Sequence, residues 1–276
     1  MYIYLAGYGV NERDKDMIRQ HGTRHRLYSF FYDVKYVGQE PWAWDRCLWD
    51  SGGFTARKTG QPISIDSYIQ FINEKKIRFA FNLDTNDLEE TWQNQKTLEE
   101  KTQAYIIPIY HYQSWLGEDH RWLEDLKRYP FVSLGGMVGQ KKRKSVEAFI
   151  QFVYGVIGMK RVHLLGKTSE PLLRKFPAYS GDSTNWVMPS KFNNIVTDRH
   201  LKNLTRFRSE TMKYHERIMT DIHIYRTLEE KMTSLWCHRG IHFGCPHDEL
   251  DFIGRKDGHE LARTLIGSTQ KSALEL

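Results

Sequence analysis

Short apolar runs alternate along the chain with segments that have helical periodicity. The apolar runs predict strands at residues 2–7, 47–54, 77–84, 104–111, 131–137, 161–166 and 178–183, with 27–34 as a further candidate. Between these runs lie the amphipathic segments SIDSYIQFINEKK, TNDLEETWQNQKTLEEK and SVEAFIQFVYGVIG, the first of which opens with a Ser/Asp cap. The pattern therefore repeats strand and helix up to about residue 190.

Hydrophobic strands that alternate with helices predict a parallel sheet covered on both faces, and about eight such strands favour an α/β fold of the (β/α)8 TIM-barrel type. A doubly wound open sheet is the alternative. The barrel is preferred because polar or glycine residues follow many of the strands, where βα loops would gather them at one rim. These residues are Asp50, Asp84, His111, Gly135, Gly136, Gly166 and Asp182.

Beyond about residue 190 the repeat weakens, and the long polar stretch that follows predicts a helical extension. We interpret residues 1–276 as one domain, with about 200–276 as its basic, helical C-terminal part.

The composition excludes a membrane protein and a disulfide-stabilised scaffold. The chain is 40% hydrophobic and 27% charged, and no segment approaches the roughly 20 apolar residues of a membrane helix. Its first residues, MYIYLAG, are typical of a buried strand and not of a signal peptide. The three cysteines are too few for a disulfide framework, so we expect a cytoplasmic location, which is the host cytoplasm if the chain is phage-encoded.

The net charge of +6 is concentrated in a few basic segments, including QKKRKS and RHLKNLTRFR. Such segments suit a polyanion, although solvated charged faces are the alternative. The candidate nucleic-acid contacts are Lys141, Lys142, Arg143, Lys144, Arg206 and Arg208. Aromatic residues near the strand ends suit base stacking, but core packing is the preferred interpretation for each of Trp42, Trp44, Trp49, Tyr110, Tyr112 and Trp186.

Three aspartates at strand ends, Asp50, Asp84 and Asp182, would meet at one rim of the barrel. One carboxylate can attack an electrophilic sugar carbon, a second can move protons, and a third can accept hydrogen bonds from the N–H groups of a base. Glycines beside them would let a flat ligand lie against the backbone. For the motif DSGG alone, an aspartate that caps a turn is the simpler alternative.

Four motifs in order, WDSGGFT, SLGGMVG, VHLLGKTSEP and YSGDSTNW, resemble the tRNA-guanine transglycosylase superfamily. The resemblance covers about residues 45–190 and is strongest to the phage-type DNA-guanine transglycosylases, which are described as DpdA-like. It implies a (β/α)8 barrel that exchanges guanine in DNA for a 7-deazaguanine, such as 7-cyano-7-deazaguanine, and that protects phage DNA from restriction. The implied partners are double-stranded DNA and the free 7-deazaguanine base, with no membrane and no required cofactor.

The same resemblance assigns the residue roles. Asp182 would be the nucleophile that attacks C1′ of the target nucleoside, and Asp50 would bind the purine and serve as general acid/base. The expected base-binding residues are Ser51, Gly52, Gly53, Phe54, Asp84, Gly135 and Gly136. His163 and Gly166 would be structural.

The chain departs from the tRNA enzymes of this superfamily because it lacks their zinc cluster after the nucleophile, which favours DNA as the polymer. Donors do occur in WCHRGIHFGCPH, at Cys237, His238, His242, Cys245 and His247, but at spacings that fit no standard zinc site. An ordinary helix end is therefore preferred there over a structural zinc. The alternative functions are base exchange in tRNA, a non-catalytic DNA-binding barrel and a glycosidase-like hydrolase.

Overall fold

A computed structural model describes residues 1–7, 25–33, 47–85, 87–189, 194–196, 206–208 and 212–242. The strands in these ranges are β1 (Tyr2–Ala6), β2 (Arg26–Ser29), β3 (Leu48–Asp50), β4 (Phe79–Phe81), β5 (Tyr105–Ile107), β6 (Ile109–His111), β7 (Phe131–Gly135), β8 (Arg161–Leu164), β9 (Ser180–Ser183), β10 (Asn194–Val196) and β11 (Arg206–Arg208). The helices are α1 (Phe30–Asp33), α2 (Gly53–Thr59), α3 (Ile65–Glu74), α4 (Leu88–Lys101), α5 (Tyr112–Leu116), α6 (Arg143–Ile157), α7 (Glu170–Leu173) and α8 (Tyr214–His238), with a 3-10 helix at Glu124–Arg128.

Strands β1 to β9 form one parallel sheet in the order β5-β4-β3-β2-β1-β9-β8-β7-β6. The two strands at its ends, β5 and β6, are halves of one predicted strand and are separated only by Pro108, which has no N–H to donate to a ladder. Because β5 pairs with β4 and β6 pairs with β7, this single peptide joins the two edges of the sheet. The predicted (β/α)8 barrel is thereby confirmed.

Several strands are shorter than the apolar runs predicted. The run at 47–54 gives a strand only over Leu48–Asp50, because the chain turns at Gly52 and begins α2 at Gly53. The run at 77–84 gives Phe79–Phe81, which leaves Asp84 in the following loop. The candidate at 27–34 ends as a strand at Ser29 and continues as α1. In the runs at 47–54 and 77–84 the polar end thus leaves the sheet at the carboxyl end of the strand.

The predicted helices begin at side-chain caps. The Ser64 hydroxyl accepts a hydrogen bond from the Ser67 N–H at 3.4 Å, and the Asp87 carboxylate accepts one from the Glu90 N–H at 2.9 Å. Helix α6 buries an apolar stripe with helical spacing against the barrel, formed by Val146, Phe149, Ile150, Val153 and Ile157. Helix α6 thus covers part of the outside of the barrel.

Large side chains fill the barrel interior. The ring of His163 on β8 lies 5.9 Å from that of Tyr4 on β1 and 5.1 Å from that of Phe81 on β4, measured between ring centroids. Since β4 and β8 are not neighbours in the sheet, these contacts cross the centre of the barrel. The interior is therefore a packed core below the rim.

The C-terminal helix α8 packs on the same core. Its residues Ile218, Ile222 and Leu228 are fully buried in the hydrophobic cluster that contains the barrel strands, and the amino group of Met1 donates to the Thr233 hydroxyl at 3.0 Å. No helix in the described ranges is long and apolar enough to cross a bilayer.

The helical prediction for the stretch that begins near residue 200 is wrong at Arg206–Arg208. These residues form β11, which pairs antiparallel with β10. Alternation of polar and apolar residues in RFR suits such a ribbon better than a helix. Residues 243–276 lie outside the described ranges, so the interpretation of 1–276 as one domain stays a prediction.

Candidate active site

The carboxyl-terminal rim of the barrel gathers the three predicted aspartates. Asp50 ends β3, Asp84 lies in the loop after β4, and Asp182 lies in β9. Burial, and next the negative charges of Asp84 and Asp182, raise the pKa of Asp50 from 3.8 to about 7. Because both neighbours act on Asp50 through their charges, the three carboxylates share one site.

The DSGG segment folds into a tight turn that fixes Asp50. The Gly52 N–H donates to Oδ2 of Asp50 at 3.0 Å, and the Gly53 N–H donates to the Ser51 hydroxyl at 3.2 Å. Gly52 has a φ of 83°, in the left-handed region that favours glycine. A turn capped by Asp50, the simpler interpretation of the motif, is thus present together with the carboxylate cluster.

Gly53 allows Asp84 to approach this turn closely. A Cβ atom at position 53 would lie 2.6 Å from the Asp84 carbonyl oxygen and 2.8 Å from its Oδ1. A larger residue in place of Gly53 would therefore displace Asp84 and the loop that follows β4. Phe54, predicted to bind the base, is 61% exposed on the first turn of α2 and is not part of the buried lining.

Asp84 is held between two basic side chains. Nη2 of Arg57 lies 3.0 Å and Nε2 of His111 lies 3.1 Å from its Oδ2, and Nη1 of Arg57 donates to the Asp84 carbonyl oxygen. Burial alone would raise the pKa of Asp84, but the contacts with His111 and Arg57 outweigh it and lower that pKa below 3.8. Asp84 is therefore an anion at neutral pH.

Asp182 is held by only one of its oxygens. Its Oδ1 accepts a hydrogen bond from the Gly166 N–H at 2.7 Å and lies 3.1 Å from Nε2 of His163, whose side chain is fully buried. Neither contact involves Oδ2, which has no hydrogen-bond partner among the described residues. One oxygen of this carboxylate is thus fixed and the other is available to a ligand.

The predicted glycine pair lies on the next part of the rim. Gly135 ends β7, where a Cβ atom would lie 3.3 Å from Nε2 of His111. Gly136 has a φ of 73°, and its carbonyl accepts hydrogen bonds from the side-chain amides of Gln113 at 3.2 Å and Gln140 at 3.4 Å. Gly135 therefore borders the His111 side chain that contacts Asp84, and Gly136 follows it in the chain.

The predicted basic contacts follow these glycines on the same rim. Lys141, Lys142 and Lys144 are exposed where the β7 loop enters α6, whereas Arg143 pairs with Glu147 at 2.6 Å. The backbones of Arg206 and Arg208 belong to β11, and their side chains lie outside the described part of the structure. Three exposed lysines thus lie where the chain runs from the carboxyl end of β7 into α6.

The aromatic residues follow the preferred interpretation where the structure describes them. Trp49, Tyr110, Tyr112 and Trp186 are all buried, so they are core residues, and Trp42 and Trp44 lie outside the described ranges.

The candidate zinc donors lie only partly within the described ranges. Within the described ranges no group of three or more His, Cys, Asp or Glu side chains is placed to hold a metal ion. Cys245 and His247 lie beyond those ranges.

Sequence reasoning missed Arg57 and assigned His163 a structural role only. Arg57 lies one helical turn after Gly53 on α2, and its polar sequence neighbours do not distinguish it from a solvated arginine. His163 had one available signal, since it lies on a strand next to the strand of Asp182 and residues of adjacent strands meet inside a barrel.

Fold and site together define a TIM-type α/β barrel with a cluster of carboxylates at its carboxyl-terminal rim. No protein-family model matches the chain, and no curated protein matches its sequence. Among solved structures, the tryptophan synthase A-subunit from the hyperthermophile Pyrococcus furiosus is similar, with 7% identity and a TM-score of 0.45 over 80% of this chain and 97% of that chain. Such a similarity identifies no reaction, and the barrel assignment rests on the strand pairing.

Proposed function

We propose that the protein is a guanine transglycosylase that exchanges guanine in DNA for a 7-deazaguanine through a covalent aspartyl-glycosyl intermediate. Three carboxylates at one rim, each in a different electrostatic environment, support this proposal most strongly. Base exchange at a glycosidic bond needs a nucleophile, a proton donor that becomes an acceptor, and an anion that recognises the base.

Asp182 is the nucleophile in this proposal. Its Oδ2 attacks C1′ while the bond from C1′ to the guanine nitrogen breaks, and the electron pair of that bond leaves with the base. Positive charge that develops at C1′ is stabilised by the carboxylate before the new bond forms. The hydrogen bond from the Gly166 N–H to Oδ1 at 2.7 Å holds Oδ1 away from the reacting carbon and leaves Oδ2 to attack.

Asp50 is the general acid/base. With a pKa of about 7, it is present in both protonation states near neutral pH, as a group that donates in one step and accepts in the next requires. Its carboxyl group gives a proton to the leaving guanine at a ring nitrogen. It then takes a proton from the incoming 7-deazaguanine, whose nitrogen attacks C1′ and releases Asp182.

Asp84 recognises the base. A guanine edge presents N–H donors, and an ionised carboxylate accepts them best. Arg57 and His111 occupy Oδ2 and keep Asp84 ionised, while Oδ1 faces the turn at Gly53. A flat purine that lies against the glycines would place its N–H edge at this oxygen.

The exposed lysines of the β7 loop suit the phosphates of the polymer. The choice of DNA and the protection of phage DNA from restriction come from the motif resemblance, since the basic rim suits DNA and tRNA equally. The experiment must therefore present both polymers.

Purified protein is incubated with duplex DNA or with tRNA, each with labelled guanine or with 7-cyano-7-deazaguanine, and the digested nucleosides are identified by mass. We expect the deazanucleoside in DNA only. Its formation in tRNA only would transfer the function to tRNA, and its absence from both polymers would refute the proposal.

Asp182→Asn tests the nucleophile. We expect exchange to fall by about 10³-fold or more, because an amide oxygen cannot form the ester intermediate. DNA binding and the circular dichroism spectrum should stay unchanged. The matched control is Asp66→Asn, an exposed aspartate on the first turn of α3, which should exchange at the wild-type rate.

A further inference from the structure

The buried histidine beside the nucleophile has a partner on each ring nitrogen. Nε2 of His163 lies 3.1 Å from Oδ1 of Asp182, and Nδ1 lies 2.8 Å from the Ser180 hydroxyl oxygen. The side chains of His163 and Ser180 are both fully buried. These three residues form a linear chain of polar contacts that ends at the nucleophile.

The chemistry of the two partners distinguishes the neutral tautomers of His163. An ionised carboxylate only accepts hydrogen bonds, so Nε2 must carry the proton that faces Asp182. Nδ1 is then an acceptor, which the Ser180 hydroxyl can satisfy as a donor. The opposite tautomer would direct the Nε2 lone pair at a carboxylate oxygen inside the protein, which is unfavourable.

We propose that His163 is a positioning residue: Ser180 holds it as the Nε2–H tautomer, and its N–H fixes Oδ1 of Asp182 so that Oδ2 is the attacking oxygen. This inference rests on the proposed function. Two donors, His163 and the Gly166 N–H, then hold Oδ1 in the free enzyme and remain on it when it becomes the carbonyl oxygen of the ester. The carboxylate is thereby kept in one orientation through both halves of the exchange.

The surrounding packing makes this arrangement rigid. The His163 ring is in contact with Tyr4 and Phe81, with centroid distances of 5.9 and 5.1 Å, so it has no space to flip without displacing core side chains. A ring held in this way can orient Asp182 only while its tautomer is fixed. Ser180 provides that fixation.

The tautomer is read by ¹⁵N NMR of the histidine rings in the intact protein, with the His163 signals assigned by their loss in His163→Gln. We expect Nδ1 at the position of an unprotonated ring nitrogen and Nε2 at that of a protonated one. Ser180→Ala should weaken this preference. An Nδ1–H tautomer, or an imidazolium at neutral pH, would overturn the proposal whether or not the protein has exchange activity.

The kinetic test uses single-turnover exchange of labelled guanine on the polymer that the wild type accepts. His163→Leu should lower the rate of the chemical step by about 10- to 100-fold, as loss of a group that orients a reacting ligand does, with the KM for the nucleic acid unchanged. His163→Gln keeps an N–H donor near Asp182 and should recover part of the rate. A folded His163→Leu protein that exchanges at the wild-type rate would overturn the proposal.

Ser133→Ala is the matched control for Ser180→Ala. Ser133 is also fully buried, and its hydroxyl donates to His163 at 3.2 Å, but to the backbone carbonyl and not to the ring. We expect Ser180→Ala to slow exchange and Ser133→Ala to leave it unchanged, and equal losses in both would refute the ring contact as the cause. If the wild type exchanges no base at all, the proposed function and the attacking-oxygen role are wrong, and the NMR result still decides the hydrogen-bond arrangement.

Discussion

Replacing Asp50 by asparagine should change how the stability of the protein depends on pH. Asp50 has a folded-state pKa of about 7, against an ordinary value of 3.8 that applies in the unfolded chain. Between these values the folded state holds a proton on Asp50 that the unfolded state has lost. The free energy of unfolding contributed by Asp50 is therefore fully present below pH 3.8 and decreases as the pH rises through 7.

The size of the effect follows from the width of this interval. Each pH unit changes the free energy of unfolding by about 1.4 kcal/mol while the two states differ by one proton. Because Asp50 is already half ionised at pH 7, it should remove about 2 kcal/mol from the stability of the wild type between pH 5 and pH 7, and about 3 kcal/mol by pH 8. Asparagine keeps an oxygen that can accept from the Gly52 N–H but does not titrate, so Asp50→Asn lacks this decrease.

Urea denaturation at pH 5, 6, 7 and 8 measures the stability of both proteins. We expect the stability of Asp50→Asn relative to the wild type to increase by about 3 kcal/mol from pH 5 to above pH 7. Asp66→Asn, at an exposed position, should show a constant difference from the wild type. A constant difference for Asp50→Asn as well would mean that Asp50 is ionised at pH 5 and would remove its assignment as the acid/base.

Two further results are expected. Gly53→Ala should lower stability by about 1–3 kcal/mol and reduce base exchange, because its Cβ would lie 2.6 Å from the Asp84 carbonyl oxygen. Gly155→Ala, in a helix with open space around the new methyl group, should raise stability by about 0.5–1 kcal/mol. Urea denaturation measures both variants, and an equal change in stability for Gly53→Ala and Gly155→Ala would contradict the steric argument. Filter binding at several salt concentrations tests the role of the rim lysines. Replacing Lys141, Lys142 and Lys144 by glutamine should reduce the slope of log Kd against log salt by about 0.9 for each phosphate that is no longer neutralised. The same replacement at Lys76 and Lys101, at the amino end of the barrel, should leave the slope unchanged.

The hydrophobic pattern predicted the barrel because strands buried on both faces give continuous apolar runs, and helices between them show a different period. It did not predict where each strand ends. Asp84 and Phe54 both lie in or next to predicted strands, yet one is in a loop and the other on a helix. Strand ends depend on the pairing partner, which a single run of residues does not contain.

The pattern also concealed the closure of the barrel. Residues 104–111 form one apolar run, but Pro108 divides it into β5 and β6, each with its own neighbour. A proline inside a run suggests an interruption, although the sequence does not indicate that the two halves would pair with opposite edges of one sheet. That arrangement follows from the tertiary structure.

The electrostatic differences among the three aspartates were the least predictable feature. Asp50, Asp84 and Asp182 look equivalent in the sequence, as single carboxylates beside small residues at strand ends. Their environments differ because of residues that are distant in sequence, such as Arg57 and His111 around Asp84. Local motifs therefore locate the carboxylates but do not determine their protonation states.

Opposed protonation states also explain why one rim can hold three carboxylates without extensive mutual repulsion. Asp84 is paired with the Arg57 cation and lies beside His111, and Asp50 avoids ionising fully near neutral pH. Asp182 accepts a hydrogen bond from the Gly166 N–H on one oxygen. If Arg57 were lost, Asp84 would compete with Asp50 for a proton, and the separation of an anion that binds from an acid that donates would disappear.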